Sequence, residues 1–198
     1  MSRGTRSKEG DTPLMRPVKI SGELVALREL TEDDAQPMHR VYGDEQVTEY
    51  LSFTPRSLDQ CRAITTAAIA DAAADPRTVY MLAVADPASG ELVGAARLGL
   101  GEWQSGQIGF ALRRDQWGHG RGTATVRLLQ QLAFVDLGLH RLWGARDRAN
   151  TASALTLGRA GMVVEGTIRG HVQRHGVWKD SVSHSILADE YAKTEPGT

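Results

Sequence analysis

The chain has almost no cysteine: Cys61 is the only one in 198 residues. An internal disulfide is thereby excluded, and the composition fits a reducing compartment. Net charge is nearly absent as well, with 23 basic side chains against 24 acidic ones and a formal charge of -1. No overall field recruits nucleic acid or an anionic membrane, so any bound anion must be met by local groups. Long apolar runs are missing too, and the opening "MSRGTRSKEGDTP" has no apolar block of the kind a secretion signal needs. A soluble, cytoplasmic protein is expected, with no nucleic acid, membrane or metal among its partners.

What is present suffices for one core. At 41% hydrophobic residues, the chain is long for a small domain and short for two. Residues 1–15 are polar and aperiodic and read as a disordered tail, 16–192 as a single domain, and 193–198 as a flexible end.

"ELVALREL" (Glu23 to Leu30) alternates like a half-buried strand, and Thr31 then caps an acidic helical turn. Ser57 and Gln60 stand at capping-box spacing and open an Ala-rich helix that must stop by Asp75-Pro76. "TVYMLAVA" and "ELVGAARLGL", joined by "DPASGE", predict a hairpin, and "QIGFALRR" a third strand. Val126, Leu128, Leu129, Leu132, Ala133 and Leu137 mark one face of a long helix that ends at Gly138. "HRLWGARD" is a further strand and "TASALTLGRA" a short helix. "MVVEGTIRGHV" and "SVSHSIL" form a last antiparallel pair, with "RHGVWKD" as the connecting loop. The class is α+β: a mixed, mostly antiparallel sheet of about six or seven strands with about four helices.

"QWGHGRGTA" (Gln116 to Ala124) places three glycines at alternate positions between a strand and a helix. A helix N-terminus carries unpaired N–H groups and the positive end of the dipole, and glycines leave it open to a phosphate. The spacing fits neither a P-loop, which ends Gly-Lys-Ser/Thr, nor the GxGxxG of a dinucleotide fold. The glycines can equally serve only a tight turn and close helix packing.

The stretch "QIGFALRRDQWGHGRGTATVRLL" resembles motif A of the GNAT superfamily of N-acetyltransferases, with Trp117, Gly120 and Gly122 at the motif's places. The Trp-Gly-x-Gly form is similar to the RimJ/RimL-type branch, which acetylates ribosomal-protein N-termini. "NTASALTLGRAGM", "EG" at 165–166 and "HGVWKD" follow in that branch's order. The resemblance implies a GNAT fold with a splayed parallel strand pair in mid-sheet and acetyl-CoA as cofactor. It also implies cofactor contacts from Phe110, Ala111 and Leu112 on the strand, from Gly118, His119, Gly120, Arg121, Gly122 and Thr123 at the helix start, and from Asn150. Asn150 can also simply cap the following helix.

Transfer from a thioester needs alignment, a donor for the developing oxyanion, and proton handling. Where many GNAT enzymes carry a Tyr as acid, this chain has Leu157, and the branch's Asn-x-x-Ser pattern implies Ser153 instead. A capping role for Ser153 is the alternative. The usual Glu of the strand is Gln107, which leaves His171 as candidate base, with Glu102, His175 and Asp180 beside it. At pH 7 an α-amine of pKa about 7.7–8.0 is roughly a tenth neutral, whereas a lysine amine is neutral in only a few parts per ten thousand. Weak base equipment therefore favours a peptide N-terminus or a small low-pKa amine. Tyr50, Phe53, Glu102 and Trp103 are the candidate acceptor contacts. Acetylation of an antibiotic or a polyamine, a non-catalytic acyl-CoA sensor, and a homodimer formed through the closing strands are the alternatives kept.

Overall fold

The computed structural model describes residues 17–194, so the expected tail at 1–15 and residues 195–198 lie outside the described residues. The strands are β1 Lys19–Ser21, β2 Ala26–Glu29, β3 Val79–Ala85, β4 Leu92–Gly101, β5 Ser105–Leu112, β6 Arg141–Asp147, β7 Val163–Arg174 and β8 Val177–Leu187. They form one sheet in the order β1-β2-β3-β4-β5-β6-β8-β7. Each neighbouring pair is antiparallel except β5 and β6, which run parallel. The helices are α1 Ala35–Tyr42, α2 Glu45–Thr48, α3 Leu58–Ala72, α4 Arg121–Gln131, α5 Thr151–Arg159 and α6 Ala188–Thr194. A π turn, Leu132–Asp136, prolongs α4.

The α+β class and the parallel pair in mid-sheet expected from the sequence are present, with one or two strands and two helices beyond those anticipated. The additions are short: three residues in β1 and four in α2 are too few to show a period. The last helix, α6, runs into the stretch from 193 onward that was expected to be flexible. "RHGVWKD" is not a loop. β7 and β8 pair through it, from Val172–Lys179 to Arg174–Val177, and only His175 and Gly176 turn the chain, at φ 48° and 76°. Two residues of positive φ match the twist of the flanking strands, so no longer loop is needed. β7 forms one edge of the sheet and carries two bulges, between Val164 and Gly166 and between Ile168 and Val172.

Local signals account for most boundaries. The Ser57 hydroxyl accepts the Gln60 N–H at 3.2 Å while the Gln60 side chain accepts the Ser57 N–H at 2.9 Å, which starts α3. The Asp34 carboxylate accepts the Thr31 N–H and both Arg28 Nη groups, closing the acidic turn ahead of α1. On one sheet face α1 and α3 bury Met38, Val41, Cys61 and Ala68 against Ala83, Ala95 and Ala111. On the other, α4, the π turn and α5 bury Val126, Leu129, Leu132, Ala133 and Leu157 against Leu82, Leu98, Ile108 and Leu142. The unbroken buried run Leu92–Ala96 on β4 follows from this two-sided cover.

Gly94 sets how closely β4 and β5 approach near the end of β5. A Cβ there would stand 2.6 Å from the Ala111 carbonyl oxygen and 2.5 Å from Leu112 Cδ2. Gly94→Ala is therefore expected to cost about 1–3 kcal/mol, as overpacking against backbone does. Thermal melting checks this: a fall of roughly 2–4 °C per kcal/mol is expected, and an unchanged Tm would show that the strands separate freely there.

Candidate functional site

The parallel ladder between β5 and β6 is three residues long: Ser105 pairs with Arg141, Gly106 with Leu142 and Gln107 with Trp143. Beyond it the two strands part. β4 stays paired to β5 as far as Leu112, and β8 to β6 as far as Asp147, so the flanking ladders fix each strand while the gap opens. The inward backbone groups of β5 past Gln107 lack a strand partner, and such groups need another donor or acceptor. Phe110, Ala111 and Leu112 lie on this stretch. Phe110 and Leu112 face the α4 side, and Ala111 packs in the opposite cluster.

The gap ends on the glycine segment. The Trp117 indole N–H donates to the Leu112 carbonyl at 2.9 Å, and Arg113 binds both oxygens of Asp115 and one of Glu91, which pins the segment to the strand end. Gly118 and Gly120 then take φ of 81° and 75°, a conformation side chains disfavour. The turn-forming role of these two glycines is thus real. Gly122 differs, since it is the second residue of α4 with ordinary φ. A Cβ there would meet Thr156 Cγ2 at 3.3 Å and Phe110 Cε2 at 3.8 Å, so its bareness keeps the helix start open between β5 and α5. No side chain among the described residues caps α4, and its first bonded N–H is that of Ala124, to the Gly120 carbonyl. The N–H groups of Arg121, Gly122 and Thr123 are left to point out of the helix end. His119 is exposed, while the Arg121 side chain is held by Asp86 at 2.9 Å and by Gln116 at 2.5 Å.

Across the gap, the Asn150 side chain accepts the Ser153 N–H at 2.9 Å and caps α5. Ser153 is half-buried and lies one turn ahead of Leu157, on the same side of the helix; Leu157 is itself in the core. The cap therefore belongs to Asn150, and the Ser153 hydroxyl has no part in it. Arg146 orders the approach to this helix, giving hydrogen bonds to the carbonyls of Asp147 and Arg148. Its Nε donates to Nε2 of His184 at 3.1 Å, which puts the imidazole proton on Nδ1. Burial, and then the charge of Arg146, hold the His184 pKa below its ordinary value, so the ring stays neutral. Neither Arg146 nor His184 stands out in the sequence, because strand alternation alone gives them no distinguishing signal.

The remaining candidates are dispersed. Tyr50 precedes the segment that lines a cleft with Arg56; its bond to Glu49 and that carboxylate's charge push its pKa up. Phe53 meets Tyr42 edge-on at 5.1 Å between ring centroids. His171, on β7, has a buried Nδ1 without a hydrogen-bond partner. Asp180 accepts the Gly170 N–H at 2.9 Å. The hydrogen bonds from Arg141 hold the Glu165 carboxyl down at about 2, which makes it a poor proton acceptor. Glu102 and Trp103 are not brought to this place. They form the β4–β5 turn, with Trp103 at φ 59° and 89% exposed, at the opposite end of β5 from the glycines. Eight residues of strand keep those ends about 23 Å apart.

Residues 25–163 match the family model described as "Acetyltransferase (GNAT) domain". Over 177 residues the chain is 25% identical to the uncharacterised N-acetyltransferase p20 of Bacillus licheniformis, covering 86% of this chain and 96% of that one. RimJ of Mycobacterium smegmatis, solved in complex with CoA-disulfide, superposes with a TM-score of 0.74 at 22% identity over 88% of this chain and 87% of its own. Spermidine N-acetyltransferase of Vibrio cholerae, solved with CoA and spermine, gives 0.74 at 20% identity over 85% and 98%. At these identities the two structures establish the fold.

The capping geometry separates two variants. Asn150→Ala is expected to lose about 1 kcal/mol of stability, the usual cost of an N-cap, whereas Ser153→Ala should stay within about 0.5 kcal/mol of the parent. Denaturant unfolding of the pair decides it, and a loss confined to Ser153→Ala would place the cap on the Ser153 hydroxyl.

Proposed function

The chain belongs to the GNAT family of acetyltransferases, which use acetyl-CoA, and we propose that its acceptor is the α-amine of a peptide or protein N-terminus. The observation that supports an acyl-CoA site here is the gap between β5 and β6 ending on the uncapped start of α4. Its unpaired backbone edge suits an extended amide chain, which can bond as an added strand does. The three free N–H groups suit a phosphate anion. Phe110, Ala111 and Leu112 would hold the former, and Gly118 to Thr123 the latter, with Asn150 on the far side. Arg121 contributes less than a free cation, because Asp86 already neutralises it.

When bound, the cofactor supplies an acyl group already activated as a thioester. In the transfer a C–N bond forms, the C–S bond breaks, the amine gives up a proton and the thiolate gains one. His171 is assigned the first proton, at its unpartnered Nδ1. The Ser153 hydroxyl, uncommitted to the helix cap, is assigned to donate toward the sulfur. A backbone N–H of β5 is assigned the developing oxyanion. With Glu165 held ionised by Arg141 and Gln107 unable to accept a proton usefully, base equipment is light. That favours an α-amine over the far more basic lysine side chain.

Release of CoA measured against peptides, aminoglycosides and polyamines tests the reading, with fastest turnover expected on peptide α-amines. Preference for a polyamine would move the acceptor to small amines, and CoA binding without release would make the protein a sensor. Gly122→Val should weaken CoA binding about ten-fold or more, by covering the N–H groups at the helix start, while the protein stays folded; unchanged affinity would return Gly122 to a packing role. Ser153→Ala should lower kcat by about 10²–10⁴-fold with little change in CoA affinity. A parental kcat would leave protonation of the thiolate to solvent.

A further inference from the structure

Two charged clefts flank this site, and they differ in how their charge is met. One, of about 520 Å³ beside the glycine segment, is lined by Arg40, Arg113 and Arg114 and by Asp44, Glu91 and Asp115, three cations against three carboxylates. The other, of about 290 Å³, lies between residues 52–56 and the β7–β8 turn; Phe53, Arg56, Arg174 and His175 are among its lining residues, and no acidic side chain is. Eight arginines among the described residues have a carboxylate within ion-pair distance. Arg56 and Arg174 belong to the eight that have none. Each also buries its Nε with no acceptor.

Both guanidinium groups are nevertheless held in place. Arg56 stacks on the Phe53 ring at 4.8 Å from its centroid, and Arg174 donates through Nη2 to the Thr48 carbonyl at 3.3 Å. Their partners are neutral, so two like charges share a cleft, partly removed from water, without a counter-charge. Such an arrangement is unfavourable until an anion completes it. The cleft adjoins the open end of the gap through α2: its Thr48 carbonyl holds Arg174, and its Gln46 side chain accepts from Arg114, two residues beyond the end of β5, at 2.7 Å. His171 lies on the same strand as Arg174, three residues before it.

We infer that this cleft receives a carboxylate carried by the amine acceptor, so that the acceptor is an anionic peptide and not a polycation. The inference rests on the acetyl-transfer reading for the identity of the molecule, and on the uncompensated arginines for its charge. A planar guanidinium fork matches a carboxylate in geometry as well as sign, and a polyamine would meet repulsion at the same place. The carboxylate has two sources, the C-terminus of a short peptide or an acidic side chain near its N-terminus.

The test uses four acceptors with the whole, CoA-loaded protein: trialanine, trialanine amide, Ala-Asp-Ala amide and spermidine. Titration calorimetry gives binding, and CoA release gives kcat and KM. One or both carboxylate peptides should exceed the neutral amide about ten-fold or more, in binding and in KM, and which of them does so identifies the source. Arg174→Gln should cut that advantage to about three-fold or less with CoA affinity unchanged. Arg56→Gln should do the same, and Arg174, near the exposed turn, serves should Arg56→Gln fail to fold. Equal binding of charged and neutral peptides, tighter binding of spermidine, or an advantage that survives both substitutions overturns the inference. Selective binding of the carboxylate peptides without CoA release would uphold it while overturning the transfer reading, and loss of CoA binding by the parent protein would overturn the cofactor site alone.

Discussion

The site depends on one constraint: two adjacent strands must share a sheet and yet separate within it. Three residue pairs join β5 to β6, and everything beyond them is held from outside, by β4 on one flank and β8 on the other. Parallel pairing is slightly weaker per residue than antiparallel pairing, so the sheet parts where parting is easiest. Gly144 assists at the point of divergence, where a Cβ would lie 3.2 Å from Ile108 Cγ1 and 3.3 Å from the Ile108 carbonyl oxygen. The helices then close the two sides of the opening, with the start of α4 at its end and α5 against α4 through Thr156.

Much of this was legible in the sequence where the cause is local. The Ser57/Gln60 box, the hairpin of β3 and β4, and the helix after the glycines rest on short-range patterns and occur where those patterns put them. The spacing of glycines did not distinguish their jobs. Gly118 and Gly120 satisfy a backbone conformation, whereas Gly122 leaves room between elements, and only tertiary placement separates the two. The bond from Trp117 to the Leu112 carbonyl was illegible for the same reason, although both residues were in view. Glu102 and Trp103 show what chain direction alone supplies. A turn before β5 and a loop after it must lie at opposite ends of that strand, so their distance from the glycines followed from chain direction alone.

Electrostatics shape the molecule by exhaustion. The chain is nearly neutral, and half of the arginines among the described residues are bound to a carboxylate, among them Arg77 to Glu29, Arg28 to Asp34, Arg141 to Glu165 and Arg121 to Asp86. These pairs tie distant segments together, as where Glu29 also accepts the Val18 N–H and so secures the strand at the sheet's first edge. Composition counts charges but cannot tell a consumed arginine from an available one. What sets Arg56 and Arg174 apart is that they share one cleft and that each buries an Nε without an acceptor.

The other sheet edge carries a different liability. β7 is the longest strand and has a neighbour on one side only, with Val163 and Val164 exposed along it. A straight strand of that kind is a template on which further chains can add and aggregate. The two bulges break β7 into short segments and bend it, so its free N–H and C=O groups do not form one continuous row. The irregularities that interrupt its pairing with β8 thus also guard the protein's colloidal behaviour: straightening them by deleting their extra residues would lengthen the unbroken ladder and, with it, the surface on which a fibril could start.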